Sequence, residues 1–534
     1  MASTQKVCII GGGIAGVGLW WTLSQPNQPG ADWDVTIIHD GAQLGGHALT
    51  VPVQHNNQTI LVDTGVQFVV PLLYPNIDAL VDFPGISSQV PVAPYDKLQV
   101  ACAFPRLNST PQNWGNFADY QSGPTFAMYT PAMVANAQRF QSFIDVALFQ
   151  GWGSKTVADY FNTVSPQYTN QTDFLNYFIY PYLSIINGYG AALDTQVTFD
   201  DLVPLFANLP PRWPGLGSFT RPGAGYRRFV NGASSLVQAM ANQALKMQPS
   251  SVVMLNTQVI SVSAASTLPG QVQVTWTSGN SPAQSAYFDK VVITTDILTA
   301  ASLLNNNSNS TLWNSLYSQY LNQASWPLLP GACYIHTDST MLSPDLQQQE
   351  ESLQFTAYYA QQSTYPYYQM FKTYTTYLQE NIHNDSAAAG LYLTMYGYVP
   401  SASNGDKVPD PSTVLFQEQW SHGMWLPTFM LPAKRALHMA QGFGVRGATY
   451  PGQLDTGIYF AGNNTTADSL EHAFISGAVI ANYAFGAQYP LSTSLLAWGM
   501  YDLFYVEFMF PLSVSARLAG LGHRLAPPSP YTDH

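Results

Sequence analysis

The feature that most constrains this chain is a glycine-rich turn near its beginning. An apolar run at residues 7–10 is followed by Gly11, Gly13 and Gly16 in the spacing G-x-G-x-x-G, and then by an apolar segment of helical character. The run predicts a strand buried on both faces. In that context the glycines permit a tight turn, close approach to a pyrophosphate, and close packing of helix on strand. The sequence therefore predicts a dinucleotide site at the start of the helix, formed by Gly11, Gly13, Ile14, Ala15 and Gly16.

The end of the next predicted strand bears on ribose binding. This strand begins at Trp33, and in a Rossmann half its carboxyl end carries an acidic residue roughly 20 residues beyond the glycines. Here the expected position holds His39, and Asp40 comes one residue later. Successive strand residues point to opposite faces, so two interpretations stay open. Either the strand ends early and Asp40 binds the ribose, or His39 makes a weaker contact with it.

The charge balance excludes several kinds of partner. Only 9% of the residues are charged, against roughly 25% in an average soluble domain. The net charge is −13 with 18 lysines and arginines, which argues against nucleic acid and against anionic lipid bound by charge alone. A small-molecule substrate is the expected partner.

Length and cysteine content indicate the class of protein. A chain of 534 residues is too long for one simple core, which predicts two intertwined domains. Cys8, Cys102 and Cys333 are too few and too scattered for a disulfide framework, and no metal site is predicted. No secretory signal precedes the first strand, so a cytoplasmic protein is expected.

Three further motifs carry a family resemblance. They are Gly45-Gly46-His47, a Val-Asp-Thr-Gly segment at residues 62–65, and Tyr-Pro-Asn at residues 74–76. Together with the glycine turn they resemble FAD-dependent oxidoreductases of the amine-oxidase/phytoene-desaturase superfamily, and most closely a lipid-linked branch of NAD/FAD-binding flavoproteins. Val66 stands where that branch usually has Phe. The resemblance implies that Gly45, Gly46 and His47 lie beside the pyrophosphate and the flavin.

The second half of the chain extends the resemblance. After a predicted helix at residues 234–247 comes a predicted strand at residues 252–262, in which Val259 matches a valine whose backbone contacts the adenine in similar flavoproteins. A closing Phe-Ala-Gly-Asn segment, with Gly462 and Asn463, precedes a helix that begins with Glu471. The resemblance implies FAD as cofactor. No second glycine fingerprint directly after a predicted buried strand is recognised, which disfavours a separate NAD(P) domain and favours reoxidation by oxygen or no net redox change.

The order of these segments predicts an α/β fold: a Rossmann-type FAD-binding domain with an interleaved α+β substrate domain. The FAD-binding domain is assigned residues 1–90, 220–300 and 446–490. The substrate domain is assigned residues 91–219 and 301–445, and an apolar C-terminal tail residues 491–534.

The tail contains a strongly apolar stretch at residues 495–512, interrupted by Asp502 and Glu507. It is marginal in length for a membrane span, and carboxylates are costly there. Two uses remain open: a helix packed on the protein, or a surface for peripheral membrane contact or a homodimer.

The leading hypothesis is an FAD-dependent oxidoreductase or redox-neutral isomerase that acts by hydride transfer on a lipophilic substrate such as an unsaturated fatty acid or isoprenoid. The alternatives are an amine oxidase that releases hydrogen peroxide, and a non-catalytic flavin-binding protein docked to a membrane or partner. No catalytic residue is assigned. The candidates considered are the bases His422, His438 and His472, the carboxylate anchors Arg221, Arg227 and Arg228, and the amine-oxidase lysines Lys372 and Lys434.

Overall fold

The computed structural model describes residues 4–26, 33–69, 71, 74–95, 100–103, 131–147, 150–153, 155–164, 174, 179, 199, 227–264, 270–304, 328–342, 353–359, 371–423, 441, 457–462, 465 and 469–504. The helices within these ranges are α1 (Ile14–Ser24), α2 (Pro75–Val81), α3 (Pro131–Val146), α4 (Val157–Thr163), α5 (Ser234–Met247), α6 (Ile297–Leu304), α7 (Gln379–His383), α8 (Leu470–Tyr483) and α9 (Leu495–Phe504). Short 3₁₀ turns lie at Ser339–Met341, Ser386–Ala388, Ala402–Asn404 and Pro411–Thr413.

The strands fall into one parallel sheet, one large mixed sheet, a three-stranded sheet and two antiparallel two-stranded sheets. They are β1 (Gln5–Ile10), β2 (Trp33–Ile38), β3 (Thr50–His55), β4 (Gln58–Asp63), β5 (Val92–Pro94), β6 (Val100–Ala103), β7 (Arg227–Phe229), β8 (Val252–Met254), β9 (Thr257–Ala264), β10 (Val272–Ser278), β11 (Gln284–Phe288), β12 (Lys290–Ile293), β13 (Leu328–His336), β14 (Leu353–Tyr359), β15 (Phe371–Leu378), β16 (Tyr392–Tyr396), β17 (Val414–Gly423) and β18 (Ile458–Phe460).

The parallel sheet has the order β18-β12-β1-β2-β8, and every neighbouring pair in it is parallel. The side chains of its central strand, β1, belong to two apolar layers, one on each face of the sheet. Val7 and Ile9 pack with α1, α5 and α8, while Cys8 and Ile10 pack with β9, β10 and α6. A strand covered on both faces explains the continuous apolar run in the sequence. The predicted mixed α/β class with a parallel sheet is confirmed.

The sheet has a topological switch point beside β1. The chain runs outward through β2 and β8 on one side, and returns through β12 and β18 on the other. Ligands of open parallel sheets bind at the carboxyl ends of the strands where the strand order reverses. The carboxyl ends of β1 and β12 meet the glycine turn at this edge.

The large sheet has the order β17-β13-β16-β15-β14-β6 and is antiparallel except for the β14–β6 pair. Cys333, Ile335 and Leu393 on one face form an apolar cluster with residues of the β3–β4 hairpin. The opposite face carries a row of buried tyrosines, including Tyr334, Tyr374 and Tyr396.

One strand prediction is wrong. The single strand expected over residues 252–262 is two strands, because the chain turns at Asn256 with a φ of 49°. Asparagine tolerates this left-handed conformation, which lets β8 stay in the parallel sheet while β9 enters the three-stranded sheet. The predicted helix at residues 234–247 is confirmed as α5. The domain boundaries stay predictions.

Part of the tail packs on the protein. Helix α9 contacts α2 and α8, and Ala497, Met500 and Tyr501 belong to the same apolar cluster as α1. Leu495 remains 72% exposed at the start of the helix. Among the described residues, no helix combines the length and apolarity needed to cross a bilayer.

Candidate cofactor and active site

The glycine turn is held tightly against its surroundings. Gly11 has a φ of 110°, and its N–H donates to the carbonyl of Ile38 at 2.9 Å. The hydroxyl of Thr294, just after β12, donates to the carbonyls of Ile10 and Gly11 at 3.0 and 3.1 Å. A Cβ on Gly11 would lie 2.5 Å from that hydroxyl oxygen. Thr294 was not predicted as a site residue. The only indication in the sequence is that this polar residue directly follows an apolar strand.

The second glycine packs directly against the backbone of the Gly-Gly pair. Gly13 forms an isolated bridge with Gly45, whose N–H donates to the Gly12 carbonyl at 2.9 Å. A Cβ on Gly13 would meet only the Cα of Gly46, at 3.8 Å. Helix α1 begins here with no side-chain cap and no acidic residue in its first turn. Its first N–H groups at Ile14 and Ala15 thus lie next to a cradle suited to phosphate.

The two ribose candidates occupy different environments. The ring of His39 lies against the glycine turn, because a Cβ on Gly12 would be 2.8 Å from its Cγ. Asp40 is 76% exposed, and its carboxylate is 3.3 Å from His39 Nδ1. The structure thus brings His39, rather than Asp40, against the glycine turn. Which of the two contacts a ribose stays a prediction.

The closing segment reaches the same edge of the parallel sheet. Gly462 has a φ of 71°, and its N–H donates to the Ser476 hydroxyl at 2.7 Å. A Cβ on Gly462 would be 3.4 Å from the Cβ of Ala15. Val259 lies in β9, 9% exposed and packed in the cluster that contains Ile10 and Ile38. Asn463 lies outside the described residues.

Glu471 has a more specific environment than the sequence indicated. Its side chain is fully buried and accepts hydrogen bonds from the backbone N–H groups of Asn76 and Ile77, both at 3.0 Å, and from Asn76 Nδ2 at 2.6 Å. It therefore caps helix α2, whose own N-cap residue Tyr74 supplies no side-chain cap. Burial raises the pKa of Glu471 to about 8, although these hydrogen bonds act to lower it. The described contacts of this carboxyl are thus with α2; its expected contact with the cofactor stays a prediction.

The Val-Asp-Thr-Gly segment joins the hairpin to α5. The buried Asp63 accepts from the Thr50 hydroxyl at 2.6 Å and from the Ala233 N–H at 2.8 Å. Burial raises the pKa of Asp63 to about 7. A Cβ on Gly65 would overlap the carbonyl oxygen of His47, so a glycine here lets the chain pass directly behind the Gly-Gly-His segment.

A carboxyl of the large sheet faces the Gly-Gly-His segment. Glu418 on β17 is half-buried, which raises its pKa, and the charge of nearby His47 opposes that rise. Glu418 lies opposite Cys333 in the β13–β17 pairing, on the face that also holds Phe416 and Trp420. Glu418 was not predicted as a site residue from the sequence. Its signal is the alternation Phe-x-Glu-x-Trp, in which a carboxyl occupies the apolar side of a strand.

The remaining candidate catalytic and substrate-binding residues are of two kinds. Some have hydrogen-bond or ion-pair partners within the protein, and the others lie outside the described residues. Arg227 is 3.0 Å from Asp82 and 3.3 Å from Asp78, and Arg228 donates to the His383 carbonyl at 3.1 Å. His472 Nδ1 is 2.7 Å from the hydroxyl of Ser469, the N-cap of α8. The side chains of Lys372 and His422, and all of Arg221, Lys434 and His438, lie outside the described residues. Within the described part of the chain, no group of His, Cys, Asp and Glu is arranged to hold a metal.

Comparison with known families decides the class. The model of the flavin-containing amine oxidoreductases matches residues 23–483. The chain belongs to this family. Its usual cofactor is FAD, and this protein is an FAD-dependent oxidoreductase. The residues present fit that cofactor, since α1 begins without a side-chain cap at a turn lined by glycine backbone, where its first N–H groups would bind a pyrophosphate.

Solved structures share the fold at low sequence identity. Putrescine oxidase bound to putrescine is 12% identical with a TM-score of 0.55, over 91% of this chain and 100% of that one. A fatty acid isomerase from P. acnes that produces CLA is 12% identical with a TM-score of 0.54, over 90% and 98%. Cyclohexylamine oxidase from Brevibacterium oxydans IH-35A is 14% identical with a TM-score of 0.51, over 90% and 99%. No curated protein matches the chain.

Proposed function

We propose that this flavoprotein transfers a hydride from a C–H bond of a lipophilic substrate, such as an unsaturated fatty acid or an isoprenoid, either as a net oxidation or within a redox-neutral isomerisation. The supporting observation is the face of the large sheet on the side of the Gly-Gly-His segment. There Phe416, Trp420 and Met395 pack against the apolar cluster that the sheet shares with the β3–β4 hairpin and stay partly exposed, and Glu418 near His47 is a charged group on the same face. The exposed part of these apolar side chains would favour an apolar substrate.

FAD, when bound, supplies the hydride-accepting chemistry of the family. The protein's own residues would bind, orient and exclude water. Gly13 and Gly46 would hold the pyrophosphate end through their backbone, while Phe416 and Trp420 would shield the substrate from solvent. Two of the candidate carboxylate anchors, Arg227 and Arg228, have local partners. A fatty-acid carboxylate would therefore need an anchor other than these two.

The experiment is an anaerobic titration of the holoprotein with unsaturated fatty acids, isoprenoids and primary amines, followed by flavin absorbance and product analysis. Lasting bleaching by a lipid supports net oxidation, and a rearranged lipid without lasting bleaching supports isomerisation. A holoprotein that neither bleaches with nor transforms any lipid, yet bleaches with an amine, would overturn the proposal.

Amine oxidation with release of hydrogen peroxide is the second candidate, favoured by one observation. Glu418 places a carboxyl in this otherwise apolar face, where an ammonium group would find a counter-charge. The variant Glu418→Gln separates the two candidates. It should raise the KM for a cationic amine at least about tenfold, the effect of one lost charge partner. In the same variant, the KM for a neutral isoprenoid should stay within about twofold of the value for the unaltered protein, because such a substrate has no charge to pair with Glu418.

A further inference from the structure

One buried asparagine, Asn76 in the first turn of α2, makes hydrogen bonds to α8, to α9 and to the segment between these two helices. Asn76 is fully buried, and its Nδ2 donates to Glu471 at 2.6 Å and to the Ala497 carbonyl of α9 at 3.3 Å. Its Oδ1 accepts from the hydroxyl of Tyr489. Every polar atom of this side chain is thus used, and each partner comes from a segment more than 390 residues away in sequence, since the separations are 395, 421 and 413.

Helix α8 touches the cofactor cradle a turn and a half after Glu471. A Cβ on Gly477 would overlap the carbonyl oxygen of Ala15, in the first turn of α1. Ser476 holds the N–H of Gly462 at 2.7 Å. Because protein interiors are close-packed, a displacement at Glu471 would be transmitted along this short rigid helix to Ala15 and Gly462. The α8 helix therefore connects the C-terminal helix with the start of α1.

We propose that Asn76 is a positioning residue that couples docking of the C-terminal helix α9 to FAD binding, with α8 as the connecting element. Asn76 lies in α2 and acts on α8 through its hydrogen bond to Glu471. By linkage the coupling is reciprocal: a docked α9 tightens FAD binding, and bound FAD slows the undocking of α9. The proposal concerns the cofactor and is independent of the substrate assigned above.

Two tyrosines of the same stacked cluster provide matched variants. The Tyr489 and Tyr501 rings stack with centroids 4.1 Å apart, but only the Tyr489 hydroxyl bonds to Asn76. The Tyr501 hydroxyl donates instead to the half-buried Asn482 at 3.2 Å, outside the hydrogen bonds of Asn76. Tyr489→Phe thus removes one bond of the network while keeping the ring, and Tyr501→Phe is its control.

The first measurement is FAD release from each holoprotein, followed by the recovery of free-flavin fluorescence. Tyr489→Phe should release FAD at least about fivefold faster than the unaltered protein, since a buried acceptor is left without its donor. Tyr501→Phe should stay within about twofold. Equal release rates for Tyr489→Phe and the unaltered protein would overturn the proposal.

The second measurement is hydrogen exchange in residues 495–504, with and without FAD, in the same three proteins. FAD should slow exchange there in the unaltered protein and in Tyr501→Phe, and the slowing should shrink in Tyr489→Phe. Exchange in β10 and β11, remote from this network, serves as the internal reference for global opening. If FAD leaves exchange in α9 unchanged in the unaltered protein, the network anchors the tail without coupling to the cofactor, and the proposal fails.

Discussion

The glycine turn and the buried Asn76 network hold the same cofactor region by opposite means. The turn depends on missing side chains: Gly11, Gly13 and Gly16 lie within six residues, and their lack of side chains is what lets strand, helix and ligand approach one another. The network depends on the side chains of Asn76, Glu471 and Tyr489, and it joins Asn76 to residues 395 and 413 positions away. A substitution in the turn is therefore expected to act by steric overlap, and one in the network by loss of a hydrogen-bond partner. The two kinds of substitution should differ in the size of the stability loss, in its pH dependence and in their effect on FAD binding.

The largest effect is expected where the turn meets backbone. A Cβ on Gly16 would overlap the carbonyl oxygen of Gly11 and lie 2.9 Å from the Ile9 side chain. Neither can move without opening the strand–helix turn, so Gly16→Ala should lower the free energy of unfolding by about 3 kcal/mol, the upper end of the cost of overpacking. Urea unfolding of the apoprotein measures this. Gly13→Ala is the control, because its φ of −75° suits any residue and its added Cβ would meet no atom closer than 3.8 Å. An equal loss in both variants would mean that overlap does not set the cost.

The network should show itself in the pH dependence of stability. The pKa of Glu471 rises from 4.5 to about 8 on burial, so between these values the folded protein binds more protons than the unfolded chain. Stability should therefore fall as pH rises through this window, by at most about 1.4 kcal/mol per pH unit for this group. Glu471→Gln should flatten the slope, measured by urea unfolding from pH 5 to 8. Asp63, with a pKa raised to about 7, gives a slope of the same sign that this variant should retain. An unchanged slope in Glu471→Gln would show that Glu471 is ionised in the fold.

The contrast also explains how far sequence could predict this protein. The glycine turn was identified because its chemistry depends on local spacing and on the absence of side chains, and the Gly45–Gly46 pair was identified through the family resemblance. The roles of Asn76 and Tyr489 could not be read from the chain, since nothing local links residues 413 positions apart. Glu418 falls between these cases. Its place in an alternating strand marks a carboxyl on an apolar face, but only the folded sheet brings it near His47.

A smaller effect should separate the turn's role in folding from its role in binding. Gly13 has a φ of −75°, which any residue adopts, and an added Cβ would meet no protein atom closer than 3.8 Å. Gly13→Ala should therefore leave the unfolding midpoint of the apoprotein unchanged while it weakens FAD binding about tenfold, or about 1.4 kcal/mol. Calorimetric titration with FAD and urea unfolding check the two halves. Unaltered FAD affinity would place the pyrophosphate away from Gly13.

The smallest effects are expected at the ribose position. Asp40 is 76% exposed, and exposed ion pairs contribute about 0–1 kcal/mol, so Asp40→Asn should change the dissociation constant of FAD by less than about fivefold. The His39 ring instead fills space against Gly12, and its loss would leave the turn without that support. His39→Ala should weaken FAD binding by about fivefold, because a few lost packing contacts amount to about 1 kcal/mol. If Asp40→Asn has the larger effect, the strand ends early in the holoprotein and Asp40 binds the ribose. The acidic residue of a Rossmann half would then act one position later than its usual place.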